Sequence, residues 1–175
     1  MRLEPEKLPE SGLWEYQYAA GELALNQDNV TICGTIEVSG QIWRKTTETH
    51  LAGQLKTAVE AECDRCLELV PFTLIPAFRG VYVTTETYAA SRQEDLSRED
   101  LELLVYDGAA IDLDELVRGE ILLALPEHIL CRVNCQGLCQ HCGANRNQTT
   151  CACAEKSIDP RWAALKQLTA ENLEN

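Results

Sequence analysis

Nine cysteines stand at positions 33, 63, 66, 131, 135, 139, 142, 151 and 153 of a 175-residue chain, and most of them are spaced as metal ligands are. Cys63-Asp64-Arg65-Cys66 is a C-x-x-C set. A tight turn there can aim both sulfurs at one tetrahedral zinc ion, at ~2.3 Å. Cys139-Gln140-His141-Cys142-Gly143 is a second such set, and its following glycine permits the open backbone angles of a metal knuckle. Cys151 and Cys153 then form C-x-C. The most economical partition gives one four-cysteine site to Cys139, Cys142, Cys151 and Cys153, all within a short stretch of chain. Cys131 and Cys135 complete the half-site of Cys63 and Cys66. Closed sites of four protein ligands are structural, because catalytic zinc keeps one position for water. The expected cofactor is therefore structural zinc, one or two ions.

Other thiol chemistries fit less well. A disulfide framework needs export, and the start MRLEPEKLPESG has no apolar signal segment. A redox pair needs a cysteine at a helix start, whereas Cys63 and Cys66 fall between two strand-like runs. Four thiolates also suit an iron–sulfur cluster, and His141 is placed to replace a cysteine as ligand. Cys33 is the odd cysteine and is expected to pack as a small residue of a sheet. His50 and His128 read as packing or surface residues. No glycine-rich phosphate loop, nucleophile elbow or H-E-x-x-H motif occurs. Arg65, Arg79 and Arg146, with Arg44 and Lys45, are the basic residues that a local contact site for RNA or a partner would use. Asn145, Arg146 and Asn147 are explained as well by turn formation.

These ligands need elements to position them. Trp14, Tyr16 and Tyr18 alternate as in a short strand, and Val30, Ile32, Gly34, Ile36 and Val38 share one side of a period-two pattern. Ser39-Gly40 reads as a turn. Runs 41–46 and 51–61 are β-compatible, and 67–83 is apolar but interrupted by Pro71, Pro76 and Gly80, as at edges or bends. Residues 84–102 read as an exposed acidic loop, or as a docking surface for a basic partner. At Asp112 the period changes: a D-x-x-E cap precedes Leu113, Leu116, Val117, Ile121 and Ala124 at helical spacing, up to Pro126. Residues 128–155 are too poor in apolar side chains to form a core and need a staple. Asp159-Pro160 opens a last helix carrying Trp162, Leu165 and Leu168. The expectation is an α+β fold: an antiparallel sheet or partly closed β-barrel with a packed helix (1–126), then a cysteine-rich zinc-knuckle tail with a terminal helix (127–175).

Fifteen Lys and Arg against 28 Asp and Glu leave a formal charge of −13, so broad attraction to phosphate backbones is not expected. With 45% apolar residues the chain has enough material for a core. No window approaches the length of a membrane span, and a cytoplasmic location is the default expectation.

Four segments together resemble the YceD family, the large ribosomal RNA subunit accumulation proteins. They are Cys63-Asp64-Arg65-Cys66-Leu67, the helix ending in Ile121-Leu122-Leu123-Ala124-Leu125-Pro126, the stretch Cys135-Gln136-Gly137-Leu138-Cys139-Gln140-His141-Cys142-Gly143-Ala144-Asn145, and Ile158-Asp159-Pro160-Arg161. Arg146 departs from the pattern, where an apolar residue is common. The resemblance implies a role in synthesis, processing or stability of large-subunit (23S) ribosomal RNA, association with a small zinc-ribbon protein of the large subunit, and no catalytic residue. The leading expectation is a non-enzymatic assembly factor that binds a basic large-subunit ribosomal protein or assembly factor. The alternatives are an RNA-binding module using Arg65, Arg79 and Arg146, and a metal or thiol redox enzyme.

Overall fold

Alternating burial builds a six-stranded sheet beside a two-stranded one. The computed structural model describes residues 1–7, 10–91, 103–153 and 161, and its contacts divide the chain into two units, Met1–Cys135 and Gln136–Asn175. In the first unit the short strand β1 (Arg2–Leu3) pairs with β8 (Ile111–Asp112). The main sheet runs β2 (Ser11–Tyr18), β3 (Val30–Lys45), β4 (Glu48–Glu62), β6 (Ala77–Thr84), β7 (Leu103–Tyr106). β5 (Leu69–Leu74) pairs with the second half of β4 while β6 pairs with the first half, so both lie along one side of that long strand. The sheet is open among the described residues, with β2 and β7 at its ends. It does not close into the barrel that was one of the two expected forms.

The expected turn at Ser39-Gly40 is instead the middle of a continuous strand. Gly40 and Gly53 face each other across β3 and β4. A Cβ on Gly40 would sit 2.7 Å from the Ala52 carbonyl and 3.0 Å from the Trp14 ring; one on Gly53 would sit 2.2 Å from the Ser39 carbonyl. The glycines are there because the strands and the Trp14 and Phe78 rings, 6.1 Å apart, close over them. A bulge between Ile32 and Ile36 re-aims β3, with Gly34 at φ +111°. Cys33 sits in this bulge and is exposed, not packed in the sheet as expected. Pro71 lies in β5 and Pro76 between β5 and β6, where the Pro76 carbonyl accepts from Leu55 N–H at 3.0 Å.

The stretch expected to be a loop begins with helix α1 (Thr85–Ser91), and its remainder, 92–102, lies outside the described residues, as does the expected helix from Asp159. α1 starts the crossover from β6 to β7, which pair in parallel, so the sheet is not wholly antiparallel. A parallel neighbour cannot be reached by a tight turn, which accounts for the length of this connection. Helix α2 (Leu113–Leu123) is capped by Asp112, whose carboxylate accepts from the N–H groups of Asp114 and Glu115 at 2.9 and 3.3 Å. It ends at Ala124, two residues before Pro126, whose ring disfavours helical angles at the residue preceding it.

Leu113, Val117 and Ile121 of α2 are fully buried in one cluster with Ile36, Val38, Ile42, Leu51, Leu55 and Val59 of the sheet. Each such side chain contributes roughly 1.5–3 kcal/mol of transfer free energy. No helix among the described residues is long and apolar enough to cross a membrane. In the second unit the described residues form no named strand or helix, only a bridge between Leu138 and Asn145. Gly53→Ala is expected to lower the free energy of urea unfolding by about 2 kcal/mol; an unchanged midpoint and slope would contradict the close strand contact.

Candidate metal centre

The turn after β4 and the loop of the second unit share one backbone design. In the first, Cys63 N–H donates to the Glu68 carbonyl and Leu67 N–H to the Cys63 carbonyl, both at 2.9 Å. In the second, Cys139 N–H donates to Ala144 at 2.8 Å and Gly143 N–H to Cys139 at 2.9 Å. The residue after each C-x-x-C is left-handed, Leu67 at φ +60° and Gly143 at φ +72°. A turn of this form leaves the two cysteine side chains on one side, with N–H groups directed at the sulfurs.

Each turn meets a second cysteine pair. Cys63, Cys66, Cys131 and Cys135 gather with their sulfurs all within 4.8 Å of one another, and so do Cys139, Cys142, Cys151 and Cys153. In the first group Cys63 and Cys135 lie 3.8 Å apart and Cys66 and Cys131 3.6 Å. A tetrahedron of sulfurs ~2.3 Å from a central ion has edges of about 3.8 Å, so the spacing fits one tetrahedral ion. A polynuclear iron–sulfur cluster would hold its thiolates farther apart. None of the nine cysteines is in a disulfide. His141 is exposed and belongs to neither group.

The electrostatics of the sulfurs point the same way. Burial pushes the Cys63 thiol up, but the N–H groups of Cys131, Arg65 and Cys66 outweigh it and bring the group to about 6. Cys131 N lies 3.4 Å from that sulfur. The N–H groups of Cys142 and His141 bring Cys139 to about 6 as well. Against this, Cys66 is pushed up to about 12: the Glu68 N–H favours its thiolate, but burial and the neighbouring sulfurs prevail. Cys153 is pushed up to about 12, first by its contacts with Cys142 and Cys139. Each group thus stabilises one thiolate while its neighbours resist a second, and a divalent cation removes that conflict.

The residues between Cys63 and Cys66 bring the distant half-site in, a role that spacing alone does not display. Asp64 accepts Ile129 N–H at 2.9 Å and donates its own N–H to the Ile129 carbonyl at 2.8 Å. His128 Nδ1 lies 3.6 Å from the same carboxylate. Arg65 Nη1 donates to the Cys135 carbonyl at 2.9 Å. Ile129 is buried in the main core, so the segment carrying Cys131 and Cys135 is anchored beside the turn. Arg79 is exposed on β6 opposite Ala52, and Arg146 is exposed in the second unit, its N–H bonded to the Gly137 carbonyl. Asn145 and Asn147 brace that loop: the Asn147 side chain accepts Gln136 N–H, and the Asn145 side chain accepts Asn147 N–H. His50 stacks on Trp43 at 5.1 Å with Nε2 3.0 Å from Glu48, and it belongs to neither cysteine group.

Residues 51–169 match the family described as the large ribosomal RNA subunit accumulation protein YceD. The chain belongs to the YceD family. An uncharacterized protein of Mycobacterium tuberculosis (strain ATCC 25618 / H37Rv) is 30% identical over 118 residues, 67% of this chain and 54% of that protein. The chloroplastic large ribosomal RNA subunit accumulation protein YCED homolog 1 of Arabidopsis thaliana is 23% identical over 155 residues, covering 76% of this chain and 48% of its own. The Zea mays protein of the same name is 25% identical over 144 residues, 69% and 49%. The chain therefore spans about half the length of the curated relatives it matches. No solved structure matches it. Both cysteine groups lie inside the YceD match.

Two measurements check the site. Arg65→Met is expected to weaken metal retention by the first group about tenfold in chelator competition and to leave the second group unchanged, the usual scale for a residue that holds a ligand in place. Gly143→Ala is expected to cost the second group about 1 kcal/mol through its left-handed backbone, roughly fivefold in retention. Equal retention in either variant would contradict the role given to that residue.

Proposed function

We propose that this protein supports the accumulation of large-subunit ribosomal RNA as a non-enzymatic ribosome-biogenesis factor, acting in the cytoplasm by binding a basic large-subunit ribosomal protein or assembly factor. The observation that carries the reading is the match of residues 51–169 to the YceD family, with relatives named for ribosomal RNA accumulation. The formal charge of −13 favours a basic protein over RNA as the direct contact. Each cysteine group holds one zinc ion in a structural role, since four thiolates leave no position for a reacting water. A four-thiolate zinc site carries a net charge of about −2, which deepens the acidic character.

Direct RNA binding through Arg65, Arg79 and Arg146 is the competing reading. Affinity purification of the tagged protein across a salt series, with and without ribonuclease, separates the two. A basic large-subunit protein that stays after ribonuclease and leaves as salt rises supports the proposal. Ribosomal RNA that survives high salt with no basic protein present overturns it, and loss of that RNA on charge reversal at the three arginines would establish the competitor. The structural role of zinc predicts that chelation raises hydrogen exchange across 136–153 before it does so in β3 and β4; uniform protection with and without chelator would contradict it.

A further inference from the structure

An open groove of about 550 Å³ lies between α2 and β7, with no cysteine in its lining. Its apolar surface comes from Tyr82, Leu104, Leu116 and Leu123, and its acidic groups include Glu115 and Glu120. Leu123 is 81% exposed, and Leu104 and Val105 on β7 are exposed as well. Asp107 and Asp112 also line the groove, but their carboxylates are committed to the N–H groups of Ala109 and Ala110 and of Asp114 and Glu115. Among the described residues Arg2 is the one basic group lining the groove, and its charge acts on Asp107. Glu115 and Glu120 have no ion pair among the described residues.

We propose that this groove binds a basic, amphipathic segment of a partner protein, its apolar side chains on Leu104 and Leu123 and its Lys or Arg side chains against Glu115 and Glu120. The inference rests on the basic-partner reading above and says where that partner docks. The groove follows α2 from Glu115 to Leu123, about 12 Å at 1.5 Å per residue, which suits two turns of a helix or a short strand. Burial pushes the Glu120 carboxyl up, so a cation placed there relieves a cost the fold already carries. Gly119 sits mid-helix on the groove wall, where glycine costs about 1 kcal/mol against alanine. A Cβ there would meet nothing within 4 Å. Glycine therefore keeps the groove wall low at this position without being required by the described packing.

The test uses individually purified basic large-subunit ribosomal proteins, titrated against the full chain by fluorescence anisotropy at physiological salt. Gly119→Trp, which fills the groove, and the pair Glu115→Gln with Glu120→Gln are each expected to weaken binding at least tenfold. Gly119→Ala, and the pair Glu15→Gln with Glu37→Gln on exposed strand positions, should stay within twofold. If Gly119→Trp does not fold, Leu123→Asp serves in its place. Equal losses from the two glutamate pairs, or full binding with the groove filled, would overturn the groove while leaving the basic-partner reading intact. Failure of every such protein to bind the unaltered chain would overturn both.

Discussion

Four sulfurs confined within 4.8 Å of one another do not stay together unaided. Thiols are weak hydrogen-bond donors, thiolates repel, and the N–H groups that favour a thiolate at Cys63 and Cys139 make a second negative charge beside each harder to bear. A divalent ion at the centre converts this repulsion into attraction. In the second unit little else is on offer: among its described residues Cys139 is the only buried apolar side chain, and the chain order comes from two turns and the Asn145 and Asn147 hydrogen bonds. In the first unit the same interaction would tie the segment after α2 to the β4–β5 turn.

The two groups therefore carry different mechanical duties. Cys63 and Cys66 stand where a long strand of the sheet ends, and Asp64 and Arg65 grip the backbone at Ile129 and Cys135. Metal there would reinforce a contact that a hydrophobic core, through Ile129, already favours. Cys142 and Cys153 of the second group are exposed, and no comparable core supports them. Burial also divides the faces of the sheet: Leu113, Val117 and Ile121 of α2 cover one side, and the outer edge of that helix faces the groove beside β7. The charge of −13 and the apolar side chains left open in an acidic groove are the basis of the proposed basic partner.

Much of this was legible in residue order, for reasons that differ by element. A C-x-x-C followed by Gly143 reads as a knuckle because the turn is local, and Asp112 with Glu115 reads as a helix start for the same reason. Strand periodicity at Val30–Val38 is equally local. The misread positions depend on distant neighbours. Ser39-Gly40 carries turn-forming residues, yet Gly40 is needed where the Trp14 ring and Ala52 carbonyl press on β3. Residues 84–102 look like a solvated loop by composition, but they include the start of a crossover to a parallel strand, and strand direction is not written in a local pattern. Leu67 hides its left-handed backbone because its residue type does not announce one. Asp64 and Arg65 gave no sign of gripping Ile129 and Cys135, since that depends on the fold bringing a far segment alongside.

The central claim, that each cysteine group is assembled around one ion, is tested most directly by mass. Native mass spectrometry of protein purified without chelator, compared with the denatured chain, is predicted to show two zinc ions per chain, both lost on denaturation, with all nine thiols then free to react with an alkylating reagent. A native mass equal to the bare chain, with the thiols equally free, would contradict the account.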